Sequence, residues 1–556
     1  MPSLSLFEWK NLVVRPGRTL RLLGSCGTSG YLLPLEPDRV KRLIFLIAVL
    51  TGVHPAFALP RLEAVHLTLD YVAKKAEARA HKPFHPPRTE LPAFLGQITR
   101  DQYREIAFRH ERALWAEEAL PFRMEFVHPG YLYLDPVHIN EFTSTHLQPV
   151  RFVPDFFDYH SLRLPSEIPA DTGYAGFRIL APLNAPGKWD ELGAFQGASY
   201  FRLLGQGQVY GISARGLALD CGEEGRPEEF PIFTDFWLGK PQQNDDALLV
   251  YALLDSVSCV GAYEFLIKPG PTTQVEVEAV LYFRDHPDIL AADPQRKPLA
   301  TIGIAPLTSM FWFGGASERK FDDYRPEVHA SDGLLLHLAS GEMVWRPLAN
   351  GTALRHQKFP AKSIRGFGLL QRDRHFKNYQ DIFHSYEKTP SVWVAPHGNW
   401  GNGEVHLVEL STQSEELDNV VAFWNPVAKP TPLQPLRIGY TLYWTRETDL
   451  ALSSNLVVST RLGADPRDQA QRQFVLDFDL PKSAWNADPP SVAASCGNNG
   501  TITQTQIFRN APDKTWRVIL NLLPKPGQGQ PVDLKCALKM GDQTLGETWS
   551  YHWTPP

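Results

Sequence analysis

The sequence predicts an all-β chain folded as two consecutive sandwiches, and three observations carry that prediction. The 47 prolines and 40 glycines divide the chain into many short runs rich in Val, Leu, Tyr and Phe, while windows of helical period are few. Several runs alternate strictly. In TQVEVEAVLYFR, Val275 and Val277 face one way and Glu276 and Glu278 the other, as in a sheet with one buried and one wetter face. Third, Asn425–Pro435 carries four prolines in eleven residues. Proline blocks ladder hydrogen bonds and stiffens extended chain, so this stretch is expected to link a domain over 59–424 to a second over 436–556. A length of 556 residues also exceeds what one core organises.

The N-terminus has the layout of an export signal. Arg39, Lys41 and Arg42 precede the apolar run Leu43–Val53, and the small-x-small triplet Ala56-Phe57-Ala58 follows. The run is too short for a comfortable membrane span. Residues 1–58 are therefore expected to be a signal peptide behind an over-early start, with the mature chain beginning near Leu59 and, in a Gram-negative source, delivered to the periplasm. The formal charge of −6 leaves no basic footprint, so nucleic acid is not an expected partner. Of the five cysteines, Cys26 leaves with the signal, and a Cys496–Cys536 disulfide is expected in an oxidising compartment. There is no CxxC, no HExxH and no metal-like spacing among His329, His337, His375, His384 and His397, so no metal or cofactor is expected.

Along the chain, Leu67–Ala80 has helical spacing with Thr68 or Asp70 near its start, and a second helix is expected over Arg100–Trp115. From Pro121 the texture is β. Beyond the proline-rich stretch, LRIGYTLYWTRE, SNLVVSTRLG, RQFVLDFDLP, TITQTQIFRN, KTWRVILNLLP, VDLKCALKMG and GETWSYHWTPP match an immunoglobulin-like sandwich in number and rhythm. No catalytic constellation stands out there. Ile364–Trp400 breaks the β texture. It interleaves Phe367, Phe376, Tyr379, Phe383, Tyr386, Trp393 and Trp400 with arginines and with Asp373, Asp381 and Glu387. Rings to stack on sugar CH faces and charged groups to hold hydroxyls suit a sugar-binding cleft, whereas a surface loop packing its rings onto the sheet would look the same.

Long ordered runs carry a resemblance: GASYFR (197–202), YGISARGLALD (210–220), EEFPIFTDFW (228–237), VYALLDSVSCVGAYEF (250–265), GIAPLTSMF (303–311), DYRPEVH (323–329), RGFGLLQRDRHF (365–376), YQD and YEKTPSVWV, and DNVVAFWNP (418–426). In these the chain resembles the periplasmic glucan biosynthesis proteins of types G and D over most of its mature length. The resemblance implies a large, galactose-mutarotase-like N-terminal β-sandwich and a C-terminal immunoglobulin-like domain. It implies work on osmoregulated periplasmic glucans of β-1,2-linked glucose, by anomer-inverting internal cleavage or by transglycosylation that closes a ring. The alternative is a non-catalytic glucan-binding accessory of a membrane glucan synthase, and a homodimer is a further expectation. The chain departs from the family pattern at the insertion His286–Leu299, at Ala330 and in IFHS after Asp381.

Inverting hydrolysis needs a protonated carboxyl for the leaving oxygen and an ionised one to activate water, about 6.5–9.5 Å apart. Asp381 in YQD is the expected acid, with Tyr379 and Tyr386 placed to desolvate it and raise its pKa. Asp255 and Asp332 lead as bases over Asp285 and Asp323, although SDG at Asp332 also reads as a turn. Tyr324, Arg325, Glu327, Trp345, Arg346, Tyr379 and Trp393 are expected to hold glucan, against core packing for the tryptophans.

Overall fold

The computed structural model describes residues 67–87, 91–164, 167–317, 321–446, 455–485, 488–525 and 529–555. The expected signal peptide lies outside the described residues. The chain is all-β, built from two large sheets in its first part and two smaller layers at its end.

A ten-stranded sheet runs from an edge at Arg123–Phe126 to an edge at Arg355–Ala361. It faces a longer sheet whose central strands are Leu248–Asp255, Cys259–Lys268, Thr273–Phe283 and Leu436–Thr445. Phe177, Phe195 and Phe201 from the first sheet meet Phe236, Phe265 and Trp444 from the second in one core. Phe195 stacks on Phe201 at 5.1 Å and meets Phe265 edge-on at 5.2 Å, the offset and T-shaped contacts that ring quadrupoles favour.

The helix Leu69–Ala80 forms as its spacing predicts. Thr68 Oγ1 accepts the Tyr71 N–H at its start, and Val72, Ala73, Ala76 and Ala80 bury against Trp237, Tyr251, Val260 and Val280. That packing explains a break in the alternation of Thr273–Phe283. Glu276 is exposed, but every residue from Ala279 to Phe283 is buried, because the helix covers the otherwise wet face.

Three expectations are corrected. The second helix stops at Arg104 after one capping-box turn, because Ala107–Phe108 pairs with Phe157–Asp158 and Phe108 packs edge-on against Phe126, Phe156 and Phe157. The insertion opens with a helix, His286–Ala292, capped by Asp285, whose Oδ1 accepts the Asp288 N–H. Asp285 therefore has a local structural task. Leu436–Thr445 does not start the second domain. It lies between Thr273–Phe283 and Ser391–Pro396 in the long sheet, so the passage into the C-terminal strands comes after Thr445. Its place in the C-terminal sandwich is taken by Ser491–Cys496. Finally, Cys496 lies opposite Leu534 while Cys536 lies opposite Ala494. Diagonal neighbours sit about 7–8 Å apart, beyond disulfide reach. Both thiols are free, and Cys496 Sγ donates to the Gly500 carbonyl at 3.4 Å.

The C-terminal sandwich packs the sheet of Leu456–Ala464, Arg472–Asp479, Thr515–Pro524 and Gly500–Asn510 on Ser491–Cys496, Val532–Met540 and Thr548–Trp553. Phe474, Trp516 and Val518 bury against Leu534, Trp549 and Tyr551. Thr548–Trp553 also pairs in parallel with Met343–Pro347, at Val344↔Thr548 and Trp345↔Trp549. The long sheet therefore runs from one sandwich into the other.

Candidate active site

A cleft of about 1130 Å³ opens along this seam. One wall comes from the first sandwich: Glu327, His329, Asp332, Trp345, Arg372, Asp373 and Asn378. The other comes from the C-terminal sheet, with Ser459, Arg461, Asp477, Asp479 and Lys514. The second domain, expected to lack site chemistry, thus supplies half of the polar lining. Arg372 ties the walls together. Its guanidinium donates to both Glu547 oxygens (2.6 and 2.8 Å) and to the Val457 carbonyl (2.8 Å), and lies 3.5 Å over the Trp345 ring.

Asp332 sits at the end of this wall, where Gly333–Leu338 begins. Its Oδ2 accepts the Arg372 and Asp373 N–H groups at 2.9 Å each, while Oδ1 has no hydrogen-bond partner. Burial pushes its pKa up, against the pull of His329, Arg372 and those N–H groups. His329 is buried between Glu327 Oε2 and Gln371 Oε1, both 2.9 Å away. Burial alone would lower its pKa, but Glu327, Asp332 and Gln371 together more than offset that and the net shift is upward.

Asp381 lies in a neighbouring cluster organised by Arg325. The guanidinium donates to Asp381 Oδ2 (2.7 Å), Glu415 Oε2 (2.9 Å) and Asp323. Asp381 also accepts the N–H groups of Phe383 and His384 and lies 2.8 Å from His384 Nδ1. Burial raises its pKa, yet the His384 contacts and Arg325 outweigh that and hold the carboxyl well below the usual carboxylate range. The expected upward shift is thus reversed. Desolvation by burial is real, but four donors converge on the same two oxygens. Asp381 also organises its own turn, flanked by Gln380 and Ser385 in the left-handed region (φ 55° and 51°).

The other sequence candidates divide by burial. Glu327 and Trp345 line the cleft, although Trp345 is only 4% exposed and its ring is occupied by Arg372. Tyr324 is 75% exposed beside Arg325. Three expectations fail as glucan contacts. Arg346 is fully buried, donating to Gln357 and facing Glu409. Tyr379 is fully buried and donates to the Asp373 carbonyl. Trp393 lies flat over Gly366, where an added Cβ would approach its ring to 2.3 Å. Asp255 belongs to neither cluster. It ends its strand in an ion pair with the fully buried Arg284 (2.8 Å) and borders a separate cavity with Arg79 and Lys82. Its pKa is raised by burial against the pull of Arg284.

Sequence reasoning missed Glu415, His384 as a partner of Asp381, and the whole C-terminal wall. It also found no metal-like His grouping, whereas among the described residues the fold brings together two: Asp381–His384–Glu415 and Glu223–His356–His406. In the first, Arg325 already supplies the cation.

Among the described residues no helix is long and apolar enough to cross a membrane. The family model for the periplasmic glucan biosynthesis protein MdoG matches residues 67–553, both sandwiches and the cleft between them. The glucans biosynthesis protein G of Serratia proteamaculans (strain 568) is 39% identical over 512 residues, covering 90% of this chain and 95% of that protein. The chain therefore belongs to the periplasmic glucan biosynthesis protein family.

Proposed function

We propose that the chain binds β-1,2-linked glucan in the periplasm along this cleft and acts on it as an inverting glycoside hydrolase or a transglycosylase, with Asp332 as proton donor and Asp381 as the ionised carboxylate. The observation that carries this reading is the opposite electrostatic setting of the two groups. Burial drives Asp332 toward its protonated form and leaves Oδ1 without a partner beside the cleft. Arg325, His384 and two backbone N–H groups hold Asp381 ionised. Acid and base roles on one bond require such a division. The roles are the reverse of those expected from the sequence. Asp381 stands apart from the cleft lining, so it acts on the attacking nucleophile through intervening water. Water or a sugar hydroxyl in the acceptor position decides between hydrolysis and transfer.

The test is incubation of the mature chain with linear β-1,2-glucan, followed by product sizing and anomer detection. Wild type is expected to yield shorter or cyclic products with inverted anomeric configuration, and Asp332→Asn and Asp381→Asn to fold but yield none. A second reading, a glucan-binding accessory of a membrane glucan synthase, is favoured by one observation. The four donors on Asp381 leave it little freedom to act. On that reading wild type binds the polymer and releases nothing new.

A further inference from the structure

A second polar cluster lies away from the cleft, at the edge of the ten-stranded sheet. His356 is on the edge strand Arg355–Ala361 and His406 on its neighbour Gly403–Glu409. The register pairs His356 with Val408 and Lys358 with His406, which puts both imidazoles on one face as diagonal neighbours. Glu223 enters from the turn after Leu217–Leu219. One ligand atom from each of Glu223, His356 and His406 lies within 4.8 Å of the others.

The hydrogen bonding around the two rings is short of one cation. His356 Nδ1 lies 3.1 Å from the Gly222 carbonyl, and His406 Nε2 lies 3.2 Å from Glu404 Oε2. A carbonyl and a carboxylate only accept, so these outer nitrogens carry the ring protons. The inner nitrogens, His356 Nε2 and His406 Nδ1, then aim lone pairs at each other across 2.8 Å. Moving one ring proton into the shared position relieves that contact only by leaving a bare ring nitrogen against the Gly222 carbonyl or the Glu404 carboxylate. The His406 side chain is wholly buried. Beside the pair, Glu223 Oε1 is buried without a hydrogen bond, 3.9 Å from His356 Nδ1 and 3.9 Å from Lys358 Nζ.

We propose that Glu223, His356 and His406 form a binding site for a divalent transition-metal ion, with zinc the best match. Two imidazoles and a carboxylate are a zinc donor set. Outer ring N–H groups held by a carbonyl and a carboxylate are the supports that ligating histidines use. Zinc–nitrogen bonds of about 2.0–2.1 Å place two ligand nitrogens roughly 3.3 Å apart in a tetrahedron, so the rings need part by only about half an ångström. Lys358, 46% exposed at its side chain, has room to turn toward solvent. The ion would fasten the exposed edge strand to the turn carrying Glu223.

The experiment uses the full mature chain stripped with chelator and returned to zinc chloride. Bound zinc is counted after desalting and affinity is taken from calorimetry. One zinc per chain is expected, with at least a tenfold loss of affinity in His356→Ala and His406→Ala and an unchanged count in His384→Ala. Glu223→Gln, which preserves shape, is expected to weaken binding even if the histidine variants fold poorly. Zinc should raise the melting temperature of wild type and not of Glu223→Gln. Failure of wild type to retain zinc overturns the proposal, as does loss of the ion in His384→Ala with retention in the other variants.

Discussion

Arg372 is a buried polar tie across the seam between the sandwiches, and its removal makes the sharpest stability prediction. The side chain of Arg372 is 4% exposed and that of Glu547 is 0% exposed. Arg372→Met deletes two charge-assisted hydrogen bonds, one to the Val457 carbonyl and a cation–π contact, and strands a buried carboxylate. Breaking a buried pair from one side costs about 3–5 kcal/mol, of which the ring contact accounts for about 1–2 kcal/mol. Arg372→Met combined with Glu547→Leu removes the stranded charge. What it leaves is chiefly the Val457 N–H, which Glu547 Oε2 accepts at 2.9 Å in the native chain, a loss of about 1–3 kcal/mol. The double variant should therefore be more stable than Arg372→Met alone. Urea unfolding followed by tryptophan fluorescence reports the seam directly, since Trp345 and Trp549 are register partners across it. The same lesion should weaken glucan binding, because Val457–Arg461 lines the opposing wall. A single-variant loss below about 1 kcal/mol, or a double-variant loss equal to the sum of the singles, would refute the reasoning.

Three further outcomes are expected. The depressed pKa of Asp381 contributes stability above its unfolded value of about 3.9 and loses it as pH falls through the folded value, whereas the raised pKa of Asp332 gives a contribution complete below about 3.9 and lost as pH rises. Urea midpoints from about pH 3 to pH 7 should show Asp381→Asn flattening the acid limb and Asp332→Asn favouring neutral pH relative to wild type; slopes of the same sign would refute the assignment. Asp255→Asn should lower stability by about 3 kcal/mol through the stranded Arg284 while leaving product formation per folded molecule unchanged. Phe383 and Tyr324, 81% and 75% exposed beside Asp381, should stack on the sugar where it passes from the cleft toward that residue; Phe383→Ala should weaken glucan binding about five- to tenfold, from a ring contact of about 1–1.5 kcal/mol, and unchanged affinity would confine the polymer to the cleft.

What the sequence allowed to be seen follows from the range of the interactions involved. Alternation and turn residues are local, so the all-β class, the Thr68-capped helix and most strands are legible in one dimension. Leu436–Thr445 was misplaced because proline density marks a stiff connection, while only pairing with Thr273–Phe283 and Ser391–Pro396 decides which sheet receives the strand. Trp393 resembles a sugar platform until Gly366 and Gly368 on the adjacent strand give its ring a flat bed. Asp381 was found from its aromatic surroundings, yet the sign of its shift depends on Arg325 and the His384 N–H, whose convergence the local pattern does not reveal. Glu415, 34 residues from Asp381 and outside any aromatic stretch, carries no local signal at all.

The C-terminal sandwich then requires a different account from that of a supporting module. Its sheet is joined to the first by a parallel pairing at only two registered positions, a narrow attachment for a domain of this size. Beyond that pairing the seam is held by a shared apolar cluster, in which Leu335, Met343, Trp345, Leu370 and Trp393 pack with Leu534, Trp549 and Tyr551, and by polar ties that include Arg372 with Glu547 and the Tyr551 hydroxyl, which donates to the Ala316 carbonyl at 3.3 Å. Ala316, Trp345 and Arg372 line the cleft, and Arg461, Asp477 and Lys514 face into it from the far side. A polymer lying there touches both sandwiches, so its binding energy acts on the angle between them as well as on its own position. On the proposed function, residues that set that angle tune glucan binding even where they never meet a sugar. Affinity and seam stability should fall together in Arg372→Met and separately in no seam variant.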